Sequence, residues 1–153
     1  MSVLAIVRPD DWNFPLFVHV LGAMILVAGL LTGAAALFFA RGDPKLLRLG
    51  FWSLMLVSFP GWIIMRLGAQ WIYTREGWDK VPSGLIPNWL DIGAVIADAG
   101  GLVLVITLII GGIGVRRLEA GKSSRLLKAT LVLSVVLLAA YVIAVWAMAG
   151  KPN

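Results

Sequence analysis

Most charged residues of this chain lie in short segments between four long apolar stretches. Each stretch has about twenty residues or more, the number that a helix needs to cross the roughly 30 Å hydrocarbon core of a bilayer. Hydrophobic residues make up 60% of the 153 residues and charged residues 14%, whereas a soluble domain is about a quarter charged. The sequence therefore predicts an all-α polytopic membrane protein, an antiparallel bundle of four transmembrane helices.

The chain has room for four spans and little else. We expect one membrane domain over residues 1–153, with spans at about 14–40, 46–73, 89–115 and 129–149. Residues 1–12 are too short to span and are broken by Pro9, so we expect them to lie at the membrane surface. Asn13 is suited to cap the first helix, and Pro60 with Gly61 predicts a kink in the second. The pattern shows no nucleophile–base pair and no phosphate loop, so we expect no enzymatic activity.

Lys and Arg residues are distributed unequally between the two ends of the spans. Eight belong to the loops at 41–48 and 116–128: Arg41, Lys45, Arg48, Arg116, Arg117, Lys122, Arg125 and Lys128. The opposite side has four: Arg8, Arg75, Lys80 and Lys151. Because basic loops stay in the cytoplasm, we expect a multi-pass cell-membrane protein with both termini extracytoplasmic. The basic loops should also contact anionic lipids. The net charge of +5 therefore does not indicate nucleic-acid binding.

A fixed positive charge lies inside the second apolar stretch. Trp62, Arg66 and Gln70 follow one another at intervals of four, preceded at the same interval by Ser58. On a helix this spacing places them on one face. An arginine at the centre of a membrane helix costs roughly 3 kcal/mol on insertion scales, and its guanidinium does not lose its proton. We therefore expect Arg66 to have a polar or acidic partner.

Other ionisable residues occur in the apolar stretches at comparable depth. His19 lies in the first span, and Asp91 and Asp98 lie in the third. At about 1.5 Å per residue, they and Arg66 fall roughly 5 to 15 Å inside the outer ends of the spans. The sequence therefore predicts one ionisable cluster in the outer half of the membrane. The predicted site residues are His19, Trp62, Arg66, Gln70, Asp91 and Asp98.

Each of these residues also has a purely structural interpretation. Arg66 and Asp98 can form an ion pair that locks the second span to the third. Asp91 lies near the start of a helix, where a carboxylate offsets the positive end of the dipole. His19 alone can make a hydrogen bond between helices.

Several functional interpretations stay open on the sequence alone. The cluster can bind or pass a proton, an ion or a small ligand, since its members are groups that change or compensate charge in a membrane. It can hold a flat lipophilic cofactor, a haem or a quinone, with His19 as one axial ligand and Met65 as the other. The protein can also be an accessory or assembly subunit. A metal site at His19, Asp91 and Asp98 has suitable N and O ligands but no specific spacing.

Small residues recur at intervals of four in two of the spans. Gly29 and Gly33 form such a pair in the first span, and Gly93, Ala97 and Gly101 form a series in the third. Small residues at this spacing allow two membrane helices to approach closely. These glycine faces are expected to pack helices and would suit a homodimer.

Three segments resemble a known family. They are FPLFVHVLGAMILVAGLL, FPGWIIMRLGAQWIYTREGW and PNWLDIGAVIADAGG. Together they are similar to an uncharacterised family of small bacterial, actinobacterial-type integral membrane proteins with four helices, distantly similar to the copper-resistance D type. The resemblance implies a four-span bundle and no particular activity. It also implies that His19 corresponds to the histidine in the first span of that family.

Overall fold

The computed structural model describes residues 13–123 and 125–150. Within this part the α-helices are α1 Phe14–Phe39, α2 Pro44–Ser53, α3 Phe59–Arg75, α4 Asn88–Glu119 and α5 Arg125–Gly150. A π-helical turn, Leu54–Ser58, joins α2 and α3 into one second span. Four helical units are therefore long and apolar enough to cross a membrane. The predicted all-α membrane bundle is confirmed, whereas the expectation for residues 1–12 lies outside the described part.

The second, third and fourth spans extend further than predicted, whereas the first ends one residue earlier. α4 has 32 residues, or about 48 Å of helix, and the hydrocarbon core is only about 30 Å thick. It continues past Val115 to Glu119, and α5 already begins at Arg125. Hydropathy marks the apolar part of each helix, whereas backbone hydrogen bonds continue through the charged ends. Asn13 caps α1 as expected, because its Oδ1 accepts the Leu16 N–H at 3.3 Å.

The second span changes its winding just before Pro60. Proline has no N–H to donate, so the carbonyl of Leu56 loses its usual partner four residues ahead. The chain has the wider π turn there, and the Phe59 N–H bonds to the carbonyl of Leu54. The irregularity predicted at Pro60 and Gly61 therefore takes the form of a π turn inside a continuous helical span.

Glycines bring α1 and the second span into backbone contact. A Cβ on Gly22 would collide with the backbone of Met65. About two turns further along α1, a Cβ on Gly29 would lie 2.5 Å from the Ser58 Oγ, about two turns back along the second span. The two helices therefore run antiparallel in constant register, and the glycines allow their close approach.

The helices α4 and α5 form a second antiparallel pair of the same kind. Gly93 faces Met148, and about two turns along α4 Gly100 faces Tyr141, with a Cβ at Gly100 only 2.7 Å from the tyrosine hydroxyl oxygen. Near the other end a Cβ on Gly114 would contact Leu127. A large side chain of α5 therefore occupies the space left by each of these glycines.

Large side chains also fill glycine notches between the two helix pairs. The rings of Phe51 and Trp62 lie against Gly111 and Gly101 of α4, and α1 packs on α5 along the other side. Leu26, Leu30, Leu54, Leu104 and Leu127 form the fully buried centre. The small-residue faces predicted for a homodimer are used inside the bundle instead, because the helices fill them with side chains of their own neighbours.

Candidate functional site

Helix α3 presents one polar face to α4. Trp62, Arg66 and Gln70 lie one turn apart, as their spacing predicts, and all three make polar contacts on this side. The indole N–H of Trp62 donates to the carbonyl of Ala97 at 2.9 Å. Its ring covers Gly101. These two contacts of Trp62, with Ala97 and Gly101, fix the register between α3 and α4.

Arg66 of α3 and Asp98 of α4 form a two-point ion pair. It crosses the line along which these two helices meet, which we call the α3–α4 seam. The Arg66 Nε lies 2.6 Å from Asp98 Oδ1, and Nη2 lies 3.4 Å from Oδ2. The remaining guanidinium nitrogen, Nη1, donates to the Gln70 Oε1 at 3.3 Å. The planar guanidinium therefore meets a carboxylate edge-on, the geometry in which such a pair is strongest. The predicted partner of Arg66 is present.

The ion pair lies at the side of the bundle, within the apolar part of the helices. The Arg66 side chain is 35% exposed and that of Asp98 is 60% exposed. With the helices centred in a bilayer, Arg66 and Asp98 lie about 10 Å and about 8 Å from the midplane, inside a half-thickness of about 15 Å. The predicted buried cluster is therefore wrong in one respect, because both charges lie at the protein surface between two helices and not in its interior.

His19 is bonded elsewhere. Its Nδ1 donates to the main-chain carbonyl of Met65 at 2.9 Å, and its backbone lies against Gly68. Met65 and Arg66 are neighbours in sequence, but consecutive residues on a helix point about 100° apart. α1 therefore meets the Met65 side of α3 while Arg66 faces α4. Similar depth does not bring the two side chains into one group, and His19 makes the interhelical hydrogen bond of its structural interpretation.

Asp91 also lies apart from the ion pair. It is exposed in the first turn of α4, and its carboxylate makes no hydrogen bond or ion pair within the described residues. A carboxylate in the first turn of a helix interacts favourably with the positive end of the dipole. About two turns of α4 separate it from Asp98. The four predicted ionisable residues therefore form one pair, Arg66 with Asp98, and two separate positions.

The metal and haem alternatives receive little support from this geometry. No group of three His, Cys, Asp or Glu residues suited to a metal ion occurs within residues 13–123 and 125–150. His19, Asp91 and Asp98 therefore do not form the metal site considered from the sequence. Met65, the second axial ligand considered for a haem, is 5% exposed and packs in the hydrophobic core. It would have to leave that core to bind iron.

Two buried hydroxyl groups lie in the core without a hydrogen-bond partner in the described part of the chain. The Ser58 Oγ and the Tyr141 hydroxyl are buried and make no hydrogen bond to the described part of the protein. Ser58 ends the π turn, and Tyr141 lies against Gly100. The interval of four from Trp62 is the sequence signal at Ser58. The sequence predicts Tyr141 to be a packed residue with a hydrogen bond, and it is packed, at 3% exposure, but its hydroxyl has no such bond within the described residues. A buried hydroxyl usually has a partner, so both positions are unusual in this core.

The fold places this chain in the class of multi-pass α-helical membrane proteins with four spans. Comparison of the chain with protein-family models, with curated proteins and with solved structures finds no match. The resemblance to the actinobacterial-type membrane family therefore stays a prediction.

Proposed function

We propose that the protein is a non-enzymatic cell-membrane protein that binds a proton, an ion or a small polar ligand at the α3–α4 seam. The binding groups are Arg66, Asp98 and Gln70, with Trp62 as the neighbouring wall. The observation that carries this proposal is the 60% exposure of the Asp98 side chain within a helix that is long and apolar enough to cross a membrane.

The energetic argument concerns the open side of the ion pair. A charged side chain near the bilayer centre costs about 2.5–3.5 kcal/mol on insertion scales, and such residues almost always face protein or a water-filled space. Arg66 neutralises one edge of the Asp98 carboxylate, and the other edge is open. A polar occupant at that open edge would remove the cost of exposing it to lipid.

The charged groups of the α3–α4 seam are suited to bind and release such an occupant. The guanidinium is always positively charged, so a cationic occupant would bind the Asp98 carboxylate and an anionic one Arg66. Binding of a proton or cation at Asp98 would weaken its bond to Arg66 and free the guanidinium, which already donates to Gln70, for an anion. Phe59 stacks on Trp62 with 6.2 Å between ring centroids, which provides an apolar surface beside the charges.

The orientation in the membrane is part of the proposal. The turns after Phe39 and after Glu119 carry the basic residues, and the ion pair lies in the opposite half, together with the start of α1 and the end of α5. With basic loops in the cytoplasm, the seam would open toward the extracytoplasmic side. A homodimer would have to use a surface other than the glycine faces.

Thermal unfolding of purified protein in detergent tests this function. A ligand that binds the folded state raises the melting temperature. We expect the melting temperature of the native protein to change with pH between about 4 and 9, or on addition of Na⁺, K⁺, Cl⁻ or a short-chain quinone. Asp98→Asn should abolish that shift, and the control Asp91→Asn, which removes an exposed carboxylate without a partner, should keep it. Identical responses of all three proteins would refute binding at the seam.

A structural lock in an accessory subunit is the second candidate. The two-point ion pair between Arg66 and Asp98 favours this lock, and so does the nearby Trp62–Ala97 hydrogen bond, because both connect α3 to α4. The electron-transfer alternative is checked by an absorption spectrum of the purified protein. A Soret band would support bound haem, and a spectrum of aromatic residues alone would contradict it.

A further inference from the structure

A concave pocket lies at the other end of the bundle, where α4 ends and α5 begins. Its volume is about 270 Å³, and its walls are Arg117, Lys122, Ser123 and Arg125. We call it the α4–α5 pocket. Three of its four lining residues carry a positive charge, and none carries a negative one. None of the residues of the proposed seam site lines it.

The three cations lack an acidic partner in the described part of the chain. The nearest acid in the sequence is Glu119, and its carboxylate pairs with Arg48 of α2 at 3.4 Å. Arg117, Lys122 and Arg125 form no ion pair within residues 13–123 and 125–150. Like charges around one concave surface repel one another, so an anion placed between them would be attracted by all three.

The backbone holds the pocket walls in place. Gly121 has φ 70°, in the left-handed region that ends helices, and the Lys122 N–H donates to the Arg117 carbonyl at 2.9 Å. On the other wall the Ser123 Oγ accepts the Arg125 N–H at 3.3 Å. These hydrogen bonds fix the backbone on both sides of the turn, and the side chains of Arg117, Lys122 and Arg125 extend from it as exposed groups. The first turn of α5 adds the positive end of a 26-residue helix.

Size and position indicate which anion fits. Pockets for drug-sized molecules run from about 300 to 1,000 Å³, and this one is smaller, which suits a single phosphate group with a few neighbouring atoms. It lies at the ends of two membrane-spanning helices, at the level of lipid head groups. Arginine matches the tetrahedral oxygens of a phosphate with paired N–H donors, and a serine hydroxyl adds a further donor.

We propose that the α4–α5 pocket binds a phosphate group, carried by the head group of an anionic phospholipid or present as free phosphate. Arg117 and Arg125 supply the charge-assisted hydrogen bonds from the two walls. Lys122 and Ser123 complete the site from the turn.

The test measures dissociation constants of the full-length protein in non-ionic detergent at about 0.15 M salt, where charges beyond about 8 Å are screened. The probes are dioctanoyl phosphatidylglycerol and inorganic phosphate. The pocket variant combines Arg117→Gln, Lys122→Gln and Arg125→Gln. The control variant removes the same charge from exposed residues outside the pocket at the same end of the bundle, through Arg41→Gln, Lys45→Gln and Arg116→Gln. Circular dichroism confirms that both variants keep their helices.

We expect the pocket variant to bind the anionic probe at least about tenfold more weakly, because it loses the charge-assisted hydrogen bonds of Arg117 and Arg125, which the control variant keeps. The control variant should stay close to the native affinity. Tighter binding of the lipid than of inorganic phosphate identifies a head group as the ligand, and equal binding identifies free phosphate; both support the site. Equal losses in the two variants, or no loss in the pocket variant, would overturn the proposal.

Discussion

Trp62 donates its indole N–H to the main-chain carbonyl of Ala97, 2.9 Å away, and the next residue of α4 is the ion-pair partner of Arg66. Two residues one turn apart on α3 thus engage two consecutive residues of α4. The Trp62–Ala97 hydrogen bond fixes the position of α4 relative to α3. Arg66 and Asp98 then reach each other without further movement of either helix.

Truncating the Trp62 side chain should weaken this connection. Trp62→Phe removes the indole N–H together with the part of the ring that packs on Gly101. We therefore expect it to lower the free energy of unfolding by at least about 0.6 kcal/mol, the average measured for an interhelical hydrogen bond in a membrane. Trp71→Phe is the control, because Trp71 is exposed and contacts the Phe14 ring. Denaturant unfolding in detergent measures both. A loss at Trp71 equal to that at Trp62 would show that ring size, not the hydrogen bond, is responsible.

The ion pair should behave as a coupled unit. Removing one partner of a buried pair costs on the order of 3–5 kcal/mol because the other charge is left unpaired, whereas replacing both by apolar residues is often nearly neutral. Arg66 and Asp98 are partly exposed, so we expect smaller losses for Arg66→Met and Asp98→Leu. The double variant should recover most of the melting temperature.

The same double variant separates the lock from the ligand site. If stability recovers and the ligand-dependent shift persists, the pair is only a lock. If stability recovers and the shift disappears, the pair belongs to the binding site. Additive losses in the double variant would instead contradict the pairing itself.

Close contact between α1 and the second span should make Gly22 intolerant of a methyl group. A Cβ there meets the Met65 backbone, which cannot rotate away, so we expect Gly22→Ala to destabilise the protein by about 1–3 kcal/mol. Gly112→Ala is the matched control, since its Cβ would lie 3.6 Å from the Phe51 ring, an ordinary contact. It should be neutral or slightly stabilising. Similar effects of both substitutions on the unfolding free energy would disprove the tight register.

The orientation can be measured directly because the chain has no cysteine. Gly84→Cys and Ser123→Cys place single thiols at exposed positions on opposite sides of the bundle without changing any charge. We expect a membrane-impermeant maleimide to label Gly84→Cys in intact cells, and Ser123→Cys only after permeabilisation. The reverse pattern would invert the orientation and place the ion pair in the cytoplasmic half.

The sequence by itself determined the features that depend on composition and helical periodicity. Four apolar stretches longer than a bilayer core specify four membrane helices, because backbone groups in lipid must bond within the helix. The interval of four placed Trp62, Arg66 and Gln70 on one face, and the charge inside an apolar stretch required a partner for Arg66.

Only the tertiary structure decided which face of each helix meets which neighbour. Depth along a helix follows from residue number, but rotation about its axis follows from packing, and the glycines of α1 set that rotation against the second span. His19 therefore reaches the Met65 carbonyl, while Arg66 turns toward Asp98 and away from α1. The α4–α5 pocket likewise arises from the turn at Gly121, because charges separated along the chain converge only when a turn brings two helix ends together.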